Sequence, residues 1–401
     1  MNLPLTTSTT SLSGEIRITG SKSESNRLLI LQALYPKIRI ENLSNSDDTK
    51  LLQAALSSSG SIKDIHHAGT AMRFLTAFYA TREGQEVTLT GSERMQERPV
   101  ELLVNALRSL GADIDYLKNQ GYPPLKIRGK QLKGSKVSLT ANVSSQYISA
   151  LMLIAPTLPN GLQIELVGMI TSVPYLKMTL AQMQAVGFRG SFEGNLIKIE
   201  PRDSIDPVSI RVESDWSSAS YFYSLASLSE KADLRLSSYR KESLQGDAVL
   251  GELYQELGVE TTYEGDAVIL KRRPCRRPRS VSFHLVDSPD IAQTIAVSCL
   301  GLGIRCKMTG LHTLKIKETD RLFALKTELE RLGAQVEITQ DSLLMIPTDQ
   351  IKENVKIKTY NDHRMAMAFA PLVMKVPLVI EDADVVSKSY PEFWNDLEKL
   401  L

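Results

Sequence analysis

The chain has 401 residues and a formal net charge of +1, with 42% hydrophobic and 23% charged residues. This is the composition of an ordinary soluble globular protein, and the near-neutral charge argues against a general nucleic-acid-binding role. The sequence shows no apolar run of the roughly 18 residues that a membrane helix needs, no signal-peptide pattern, and no metal-ligand spacing among Cys275, Cys299 and Cys306, so we expect a cytoplasmic protein without a membrane partner or a bound metal.

The first predicted elements surround a basic segment near the N-terminus. The alternating residues Glu15–Thr19 predict a strand, Gly20 a turn, and a helix is expected from about Ser25. The segment Gly20–Arg27 places a lysine and several hydroxyl groups at this helix start, which suits an anionic ligand because a helix N-terminus carries partial positive charge. The spacing does not match a phosphate-binding P-loop, and a plain helix cap explains the serines equally well.

Three further segments combine small, hydroxyl or basic side chains at predicted helix starts. In His67–Arg73, the small residues Gly69 and Thr70 would let a ligand approach the backbone closely. The hydroxyl and amide groups of Val143–Tyr147 are able to cap a helix, bind an oxyanion, or do both. The segment Arg94–Pro99 brings two arginines close together. For each segment a structural and a functional role remain open.

One helix-strand-turn-strand unit repeats along the chain. In each copy an amphipathic helix ends in apolar-Gly-apolar, with glycines at positions 111, 187, 258 and 333, which are 76, 71 and 75 residues apart. Glycine is expected there because it accepts the left-handed conformation after a helix. An alternating strand follows, and turn residues such as Glu264–Asp266 lead to a second strand, Ala267–Leu270. We place a fifth, abridged copy before Gly60, and the period predicts a few small α/β subdomains rather than a solenoid.

Two segments in the last third of the chain place acidic and basic side chains together inside apolar sequence. They are Lys317–Arg321 and Tyr360–Ala366. With Gly20–Arg27 they make three basic clusters in a nearly neutral protein, and this pattern predicts a site for a small molecule with several negative charges. Another basic stretch, Lys271–Arg279, contains two prolines and no aromatic residue, so we interpret it as a solvated surface turn rather than a nucleic-acid or polyanion patch.

Taken in order, these segments resemble the enolpyruvyl transferase family, and among its members the 5-enolpyruvylshikimate-3-phosphate (EPSP) synthases. The resemblance extends from about residue 12 to about residue 398, and Lys317–Arg321 with Tyr360–Ala366 are its most specific parts. The other matching segments are Gly20–Arg27, Ser46–Thr49, Ala68–Arg73, Arg94–Pro99, Val143–Tyr147, Ser172–Tyr175, Asp215–Phe222, Gln245–Asp247, Ser288–Val297 and Ser387–Phe393.

The resemblance implies an α/β fold class, a two-domain inside-out α/β barrel. Each domain contains three βαβαββ repeats with helices inside and sheets outside, and the first repeat is abridged. The domain on the shikimate-phosphate side is expected at residues 20–212, and the second domain joins residues 1–19 with 213–401. The active site is expected in the interdomain cleft.

The implied reaction transfers the enolpyruvyl group of phosphoenolpyruvate to the 5-hydroxyl of shikimate 3-phosphate and releases phosphate, a step of chorismate and aromatic amino acid biosynthesis. It proceeds by addition and elimination through a tetrahedral intermediate. Such chemistry needs a base for the hydroxyl, an acid for C3 and many cations. The implied partners are these two small molecules, bound by a monomer without a metal or an organic cofactor.

Carried over position by position, the resemblance implies Asp290 as the base, Glu318 as the proton donor to C3, and Lys22 as a further catalytic residue. The implied shikimate 3-phosphate ligands are Lys22, Ser23, Arg27, Ser144, Ser145, Gln146, Ser172, Tyr175, Asp290 and Lys317. The implied phosphoenolpyruvate ligands are Lys22, Gly69, Arg98, Gln146, Arg321, Arg364 and Lys388. A carboxylic acid that acts near pH 7 needs a raised pKa whereas neighbouring cations lower it, and the sequence leaves this conflict open.

The chain departs from the family pattern at several positions. Where the family usually has an asparagine, a proline and a basic residue, the chain has His67, Phe74 and Val173. Where the family usually has a small residue and an asparagine, the chain has Trp216 and Thr313. These changes concern substrate affinity more than reaction type. Because Gly69 lacks a side chain, we expect the phosphoenolpyruvate pocket to admit glyphosate as a competitive inhibitor.

Two alternatives are weighed against this reading. The sister family, the UDP-N-acetylglucosamine enolpyruvyl transferases, usually has a loop cysteine as its acid and a Lys-Asn pair near the N-terminus. In this chain no cysteine lies near residues 91–98, and the pair is Lys22-Ser23. The other alternative is a catalytically inactive anion-binding homologue, and the presence of both Asp290 and Glu318 among the cations argues against it.

Overall fold

The computed structural model describes residues 1–140, 144–168, 170, 172–273 and 278–401. Four residues of the basic stretch Lys271–Arg279, including Cys275, lie outside the described residues, as does Val143 of the segment Val143–Tyr147. Within the described ranges no helix is long and apolar enough to span a membrane.

Strands and helices alternate along the described chain. The strands are β1 (Leu3–Leu5), β2 (Ser11–Ile16), β3 (Ile38–Glu41), β4 (Ile62–Asp64), β5 (Glu86–Thr90), β6 (Asp113–Tyr116), β7 (Leu125–Arg128), β8 (Lys136–Thr140), β9 (Leu162–Val167), β10 (Gly190–Glu193), β11 (Leu196–Ile199), β12 (Val208–Arg211), β13 (Lys231–Ser237), β14 (Val259–Glu264), β15 (Ala267–Arg272), β16 (Ser280–His284), β17 (Arg305–Thr309), β18 (Gln335–Ile338), β19 (Ser342–Ile346), β20 (Val355–Ile357) and β21 (Leu378–Ile380). The helices are α1 (Lys22–Leu34), α2 (Asp47–Ser57), α3 (Gly69–Ala80), α4 (Glu93–Gln96), α5 (Glu101–Ser109), α6 (Ser145–Ile154), α7 (Val173–Ala185), α8 (Trp216–Leu228), α9 (Leu250–Leu253), α10 (Ala292–Leu302), α11 (Arg321–Arg331), α12 (His363–Phe369) and α13 (Phe393–Glu398).

The chain divides into two compact units. The central unit comprises residues 20–212, and the terminal unit comprises residues 1–19 together with 213–401. Each unit has its own hydrophobic core.

The described residues of the central unit form three sheets. Two of them have four strands, in the orders β4-β5-β7-β6 and β8-β9-β11-β10. In both, the first two strands are parallel and the last two form an antiparallel hairpin. This is the strand pattern of a βαβαββ unit. In the third sheet β3 pairs in parallel with β12, and among the described residues no other strand joins them. The abridged first repeat is therefore confirmed as one without a hairpin in the described part of the chain.

The terminal unit repeats this architecture. Its four-stranded sheets have the orders β2-β13-β15-β14 and β16-β17-β19-β18, with the same succession of parallel and antiparallel pairs. Its third sheet pairs β20 with β21 in parallel and β21 with β1 antiparallel. Two strands from the N-terminal segment, β1 and β2, thus complete sheets whose other strands follow residue 213.

The helices lie inside each unit and the sheets lie outside. In the central unit α6 is buried at every position from Tyr147 to Ile154, and in the terminal unit α8 is buried from Ser218 to Leu228. A helix that is buried on all sides packs against other elements around its whole circumference. Strands such as β9 instead alternate buried and exposed residues, as expected for a sheet with one face in the core.

The glycines of the four repeats end helical segments as predicted. Gly111, Gly187, Gly258 and Gly333 have φ values of +105°, +100°, +82° and +109°. In every copy the amide after the glycine donates to the carbonyl five residues earlier, for example from Ala112 N to Leu107 O at 2.9 Å. This is the hydrogen bond of a Schellman motif, which requires a left-handed residue and therefore favours glycine.

Three local predictions need correction. Helix α1 begins at Lys22 rather than near Ser25, so the lysine is the first helical residue instead of preceding the helix. The third repeat has only the short helix α9, after a 3₁₀ turn at Gly246–Val249, in place of a long amphipathic helix. Helix α2 ends at Ser57, its C-cap Ser58 is extended, and Gly60 is not left-handed, so the fifth copy has no glycine cap.

The left-handed caps predict a position-specific cost of adding a side chain. A Cβ at Gly187 would meet nothing within 4 Å, so in Gly187→Ala only backbone strain opposes the alanine, and we expect a loss of about 1–2 kcal/mol in the free energy of unfolding. Urea denaturation followed by circular dichroism measures this loss. Gly60→Ala is the matched control, because its Cβ meets only ordinary contacts at 3.5 Å or more. Equal effects of the two substitutions would contradict the assignment of the cap.

Candidate active site

Arg321 lies at the centre of a buried charge cluster in the terminal unit. Its Nε donates to Asp362 Oδ2 at 2.6 Å, its Nη1 to Asp290 Oδ1 at 2.9 Å, and its Nη2 to Glu318 Oε2 at 2.9 Å. The side chains of Arg321 and Asp362 are 2% and 0% exposed. Burial alone would lower the pKa of this guanidinium, but the three carboxylates outweigh burial and raise that pKa. The arginine is therefore a permanent buried cation.

Three more cations contact the same carboxylates. Arg364 donates through Nη2 to Asp290 Oδ2 at 3.3 Å and through Nη1 to the Asp290 carbonyl at 3.2 Å. Lys317 Nζ lies 3.3 Å from Asp290 Oδ1, and Lys388 Nζ lies 2.9 Å from Glu318 Oε1. All the residues that the sequence predicted for this unit thus lie in one connected network.

Asp290 is the carboxylate that most of these cations share. Burial by itself raises the pKa of Asp290, but Arg364, Lys317 and Arg321 outweigh burial and lower this pKa below its ordinary value. Asp290 is therefore ionised at neutral pH. It becomes a stronger base only when another anion takes over part of the interaction with these cations.

Local backbone geometry directs the aspartate that pairs with Arg321. Tyr360 and Asn361 are both left-handed, with φ values of +55° and +54°, and Asp362 follows as the N-cap of α12, accepting from Arg364 N at 2.9 Å. The Tyr360 hydroxyl donates to Glu328 Oε1 at 2.7 Å. A left-handed tyrosine is an uncommon and strained conformation, and such conformations concentrate at functional sites.

A second buried aspartate, Asp247, approaches the cluster through a serine. The Ser217 hydroxyl donates to Asp247 Oδ2 and accepts from Arg364 Nη2 at 3.2 Å. Asp247 is 6% exposed. Burial, followed by the negative charge of Asp290, raises the pKa of Asp247 to about 6 although Arg364 opposes this rise.

In the central unit, Lys22 lies beside a buried aspartate. Lys22 Nζ is 3.1 Å from Asp48 Oδ2, and His67 Nε2 is 3.8 Å from Asp48 Oδ1. The adjacent ring His66 contacts His67 through their Nδ1 atoms at 2.7 Å. Because the Lys22 side chain is 19% exposed, its charge remains accessible to a ligand.

Gly69 allows the Arg98 guanidinium to approach the start of α3. A Cβ added at Gly69 would lie only 2.4 Å from Arg98 Nη1. The loop that carries Arg98 is positioned by the buried Arg73, which donates to Gly69 O at 3.1 Å and to Pro99 O at 3.0 Å. Burial lowers the pKa of Arg73 to about 10, so it remains charged at pH 7. Arg73 therefore has a structural role. Arg98, in contrast to the buried Arg73, is only half-buried.

Arg27 contacts several hydroxyl-bearing residues of the central unit. It is 2% exposed, and burial lowers its pKa to about 10. Its Nε donates to Thr179 Oγ1 at 2.7 Å and its Nη1 to Ser23 O at 2.7 Å. Its guanidinium carbon lies 5.7 Å from the centre of the Tyr175 ring. These contacts place Arg27 against two other predicted ligands and give it a supporting position.

The remaining predicted residues lie at two helix starts. Ser144 caps α6 by accepting from Gln146 N at 3.4 Å, and the Gln146 side chain donates to Thr70 Oγ1 at 3.2 Å. Ser145 is the first residue of α6. Ser172 precedes α7 in a left-handed conformation and makes no side-chain cap. Both hydroxyl and amide groups are thus presented at helix N-termini, where backbone amides favour anions.

Comparison with known proteins decides the family. A model of the EPSP synthase family (3-phosphoshikimate 1-carboxyvinyltransferase) matches residues 53–397. The chain belongs to the EPSP synthase family. A 3-phosphoshikimate 1-carboxyvinyltransferase of Bacteroides fragilis is 46% identical over 389 residues, which cover 96% of this chain and 94% of the relative. One from Haemophilus influenzae is 36% identical, with 96% of each chain covered.

A solved EPSP synthase from Acinetobacter baumannii shares the fold. It superposes with a TM-score of 0.80 at 20% sequence identity and covers 99% of this chain and 98% of its own. The sequence resemblance to EPSP synthases is therefore confirmed, and so is the inside-out α/β fold class.

The positions that depart from the EPSP synthase pattern have different surroundings. Trp216 is completely buried and its indole donates to Glu213 Oε1 at 2.7 Å. Phe74 is buried, and its ring centre lies 5.5 Å from the Arg27 guanidinium carbon. Val173 begins α7. Thr313 Oγ1 is buried without a hydrogen-bond partner among the described residues.

Several members of the clusters were not assigned a role from the sequence. They are Asp48, Ser217, Asp247 and Asp362. Each lies inside a segment that carries the family resemblance, and this location is the sequence signal that could have identified them. Their roles depend on partners that are distant in the sequence, as between Asp247 and Ser217.

The raised pKa of Asp247 predicts a pH-dependent stability difference. A group whose folded-state pKa is raised contributes stability that is fully present below its unfolded value and is lost as pH rises through the folded value. The stability of the wild type relative to Asp247→Asn should therefore fall by about 2–3 kcal/mol between about pH 4 and pH 7.5. Urea denaturation of both proteins at each pH measures it, and the difference cancels groups common to both. A pH-independent difference would contradict the prediction.

Proposed function

We propose that this protein transfers the enolpyruvyl group of phosphoenolpyruvate to the 5-hydroxyl of shikimate 3-phosphate and releases phosphate. The observation that carries the proposal is the buried network in which Arg321, Arg364 and two lysines surround Asp290 and Glu318. Relatives named for this activity cover 96% of the chain, which supports the same conclusion.

The charges of the substrates fit these cations. The two substrates carry two phosphates and two carboxylates, so a site for both needs many positive groups. In the terminal unit most of the positive charge of the four cations is already compensated by Asp290, Glu318 and Asp362. An incoming anion therefore competes with protein carboxylates for these cations, and Lys317, whose side chain is 30% exposed, is best placed for this exchange.

This exchange resolves the conflict between cations and acid–base catalysis. While Arg364, Lys317 and Arg321 interact with Asp290 alone, its pKa is lowered and it is a weak base. When a substrate phosphate or carboxylate shares those cations, their effect on the protein carboxylates decreases, and the proton affinity of Asp290 and Glu318 rises. Substrate binding thereby prepares both carboxylates for proton transfer.

The proposed steps follow from these two carboxylates. In the addition, Asp290 accepts the proton of the 5-hydroxyl, the oxygen forms a bond to C2, and the electron pair of the C2=C3 double bond takes a proton from Glu318 at C3. In the elimination, Glu318 recovers a proton from C3, the double bond re-forms, and phosphate leaves with the electrons of the C2–O bond. The proton that Asp290 accepted passes to this phosphate, which restores Asp290 for the next cycle. The cations stabilise the charge that develops on the leaving phosphate.

The substrate assignments of the individual residues are part of the proposal. For shikimate 3-phosphate they are Lys22, Ser23, Arg27, Ser144, Ser145, Gln146, Ser172, Tyr175, Asp290 and Lys317. For phosphoenolpyruvate they are Lys22, Gly69, Arg98, Gln146, Arg321, Arg364 and Lys388. Both units contribute, because each contains only part of either set. The interdomain position of the site and a cytoplasmic monomer that acts on these small molecules alone, without a cofactor, stay predictions.

The sister reaction with UDP-N-acetylglucosamine is not favoured. The curated relatives cited above are named 3-phosphoshikimate 1-carboxyvinyltransferases. Cys299 lies in α10 and Cys306 in β17, both buried in the core of the terminal unit, so neither is a loop cysteine. A cysteine acid is therefore not available from these two residues.

Phosphate release tests the proposed function. The wild type should release phosphate only when both substrates are present, and omission of either should abolish release. In Glu318→Gln the shape is kept but the transferable proton is lost, so we expect kcat to fall by about 10²–10⁴-fold. The exposed Glu330, which pairs with Lys326 on α11, supplies the control Glu330→Gln with unchanged kcat. Unimpaired turnover by Glu318→Gln would exclude this residue as the acid.

The close approach of Arg98 to Gly69 predicts the effect of one methyl group. In Gly69→Ala the new Cβ would overlap Arg98 Nη1, so the guanidinium must move, and we expect KM for phosphoenolpyruvate to rise about tenfold with weaker inhibition by glyphosate. Steady-state kinetics with and without glyphosate measure both effects. Gly251→Ala is the control, because this helical glycine has space for a Cβ at 3.5 Å from its nearest neighbour. Unchanged KM would show that Arg98 does not bind this substrate.

A further inference from the structure

We propose that Asp247 is a positioning residue of the site, which orients the Arg364 guanidinium against Asp290 through the hydroxyl of Ser217. The inference rests on the proposed function, since Arg364 is assigned there to phosphoenolpyruvate. It concerns a residue that touches neither the reacting atoms nor, in this arrangement, Arg364 itself.

The hydrogen-bond directions support this role. Ser217 has one hydroxyl proton, which it donates to Asp247 Oδ2, and its oxygen is then free to accept from Arg364 Nη2 at 3.2 Å. The same Nη2 lies 3.3 Å from Asp290 Oδ2. If the hydroxyl turned its proton toward Arg364, this hydrogen bond would be lost, so the carboxylate of Asp247 selects the orientation in which Ser217 is an acceptor.

The backbone around Asp247 is tied to the helix that carries Ser217. Asp247 lies in the 3₁₀ turn Gly246–Val249, directly after Gln245. The Gln245 side chain accepts from Trp216 N at 2.9 Å and donates to Ser214 O at 3.0 Å. This double contact fixes the turn beside the first residues of α8, and so holds Asp247 next to Ser217.

Because of the charges around Asp247, a positioning role and a purely electrostatic role change KM for phosphoenolpyruvate in opposite directions. The charged groups that act on Asp247 are Asp290, Arg364 and Asp215. Removal of a negative charge near Arg364 would by itself strengthen the binding of an anion. Removal of a positioning contact would instead weaken binding, because the guanidinium loses its orientation. The two effects on KM for phosphoenolpyruvate are therefore opposite.

Three substitutions separate these effects. Asp247→Ala and Ser217→Ala each interrupt the connection, and each should raise KM for phosphoenolpyruvate about tenfold, with KM for shikimate 3-phosphate changed less than threefold. The double variant should be no worse than either single variant, because the two residues act in series. Asp247→Asn keeps an acceptor oxygen for Ser217, so it should restore KM to within about threefold of the wild type.

The pH dependence provides a second readout. Because the pKa of Asp247 is raised to about 6, the wild type loses this carboxylate charge as pH falls from about 7.5 to 5.5, and its hydrogen bond from Ser217 weakens. The ratio of KM in Asp247→Ala to KM in the wild type should therefore decrease over this range. The ratio cancels the titration of the substrate phosphates, which is common to both proteins.

Asp396→Ala is the matched control. Asp396 is a buried aspartate of the same unit that accepts from the Tyr390 hydroxyl at 2.7 Å and has no contact with the charge cluster among the described residues. It should change stability without changing KM. A lower KM in both Asp247 variants would replace the positioning role with a purely electrostatic one, and reduced stability with unchanged KM would leave Asp247 a structural residue only.

Crystal structures of the Asp247 variants decide the matter independently of turnover. The Arg364 Nη2 to Asp290 Oδ2 contact should persist in Asp247→Asn and be lost in Asp247→Ala. If the wild type releases no phosphate, the proposed function fails, whereas the position of Arg364 still tests Asp247. An unmoved Arg364 in Asp247→Ala would overturn the inference even in an active enzyme.

Discussion

The terminal unit depends on one buried cation. Arg321 is 2% exposed and contacts three carboxylates, one of which, Asp362, is completely buried. A buried ion pair is stable only when every charge has a partner, and removal of one partner typically costs about 3–5 kcal/mol. The N-caps of α11 and α12, the left-handed turn before Asp362 and the contacts of Arg364 all maintain this arrangement. The same constraint that stabilises the unit thus places three carboxylates and four cations together.

This arrangement also explains how a strongly basic site exists in a nearly neutral protein. Asp290, Glu318 and Asp362 compensate most of the charge of the four cations in the terminal unit, and Asp48 compensates Lys22 in the central unit. Burying uncompensated cations would carry a large desolvation cost. With compensation, the cost of assembling the site is met during folding, and a substrate anion has only to replace a carboxylate that is already oriented. The site is in this sense preorganised for exchange of anions.

The sequence was sufficient where the determining physics is local. The left-handed glycines follow from backbone sterics at single residues, and the hairpin after Gly258 follows from alternation and turn residues. The predicted start of α1 was wrong because Ser21, Ser23 and Ser25 are all acceptable N-caps, and tertiary packing determines which of them is used. The shared segments identified the charged residues. They did not show that Arg321 is the common partner of the carboxylates, or that Asp247 acts through Ser217. Such contacts join residues 30 to 41 positions apart, as between Ser217 and Asp247 or Arg321 and Asp362.

The interrupted sequence of the terminal unit has a consequence for synthesis on the ribosome. All residues of the central unit are available once position 212 has emerged, whereas β1 pairs Leu3 with Ile380 and β2 pairs with β13. The first strands to be made must therefore wait, with unpaired edges, for partners that are translated much later. Vectorial translation favours completion of the central unit first. The network around Arg321, which requires both Asp290 and Lys388, is then among the last parts of the molecule to assemble.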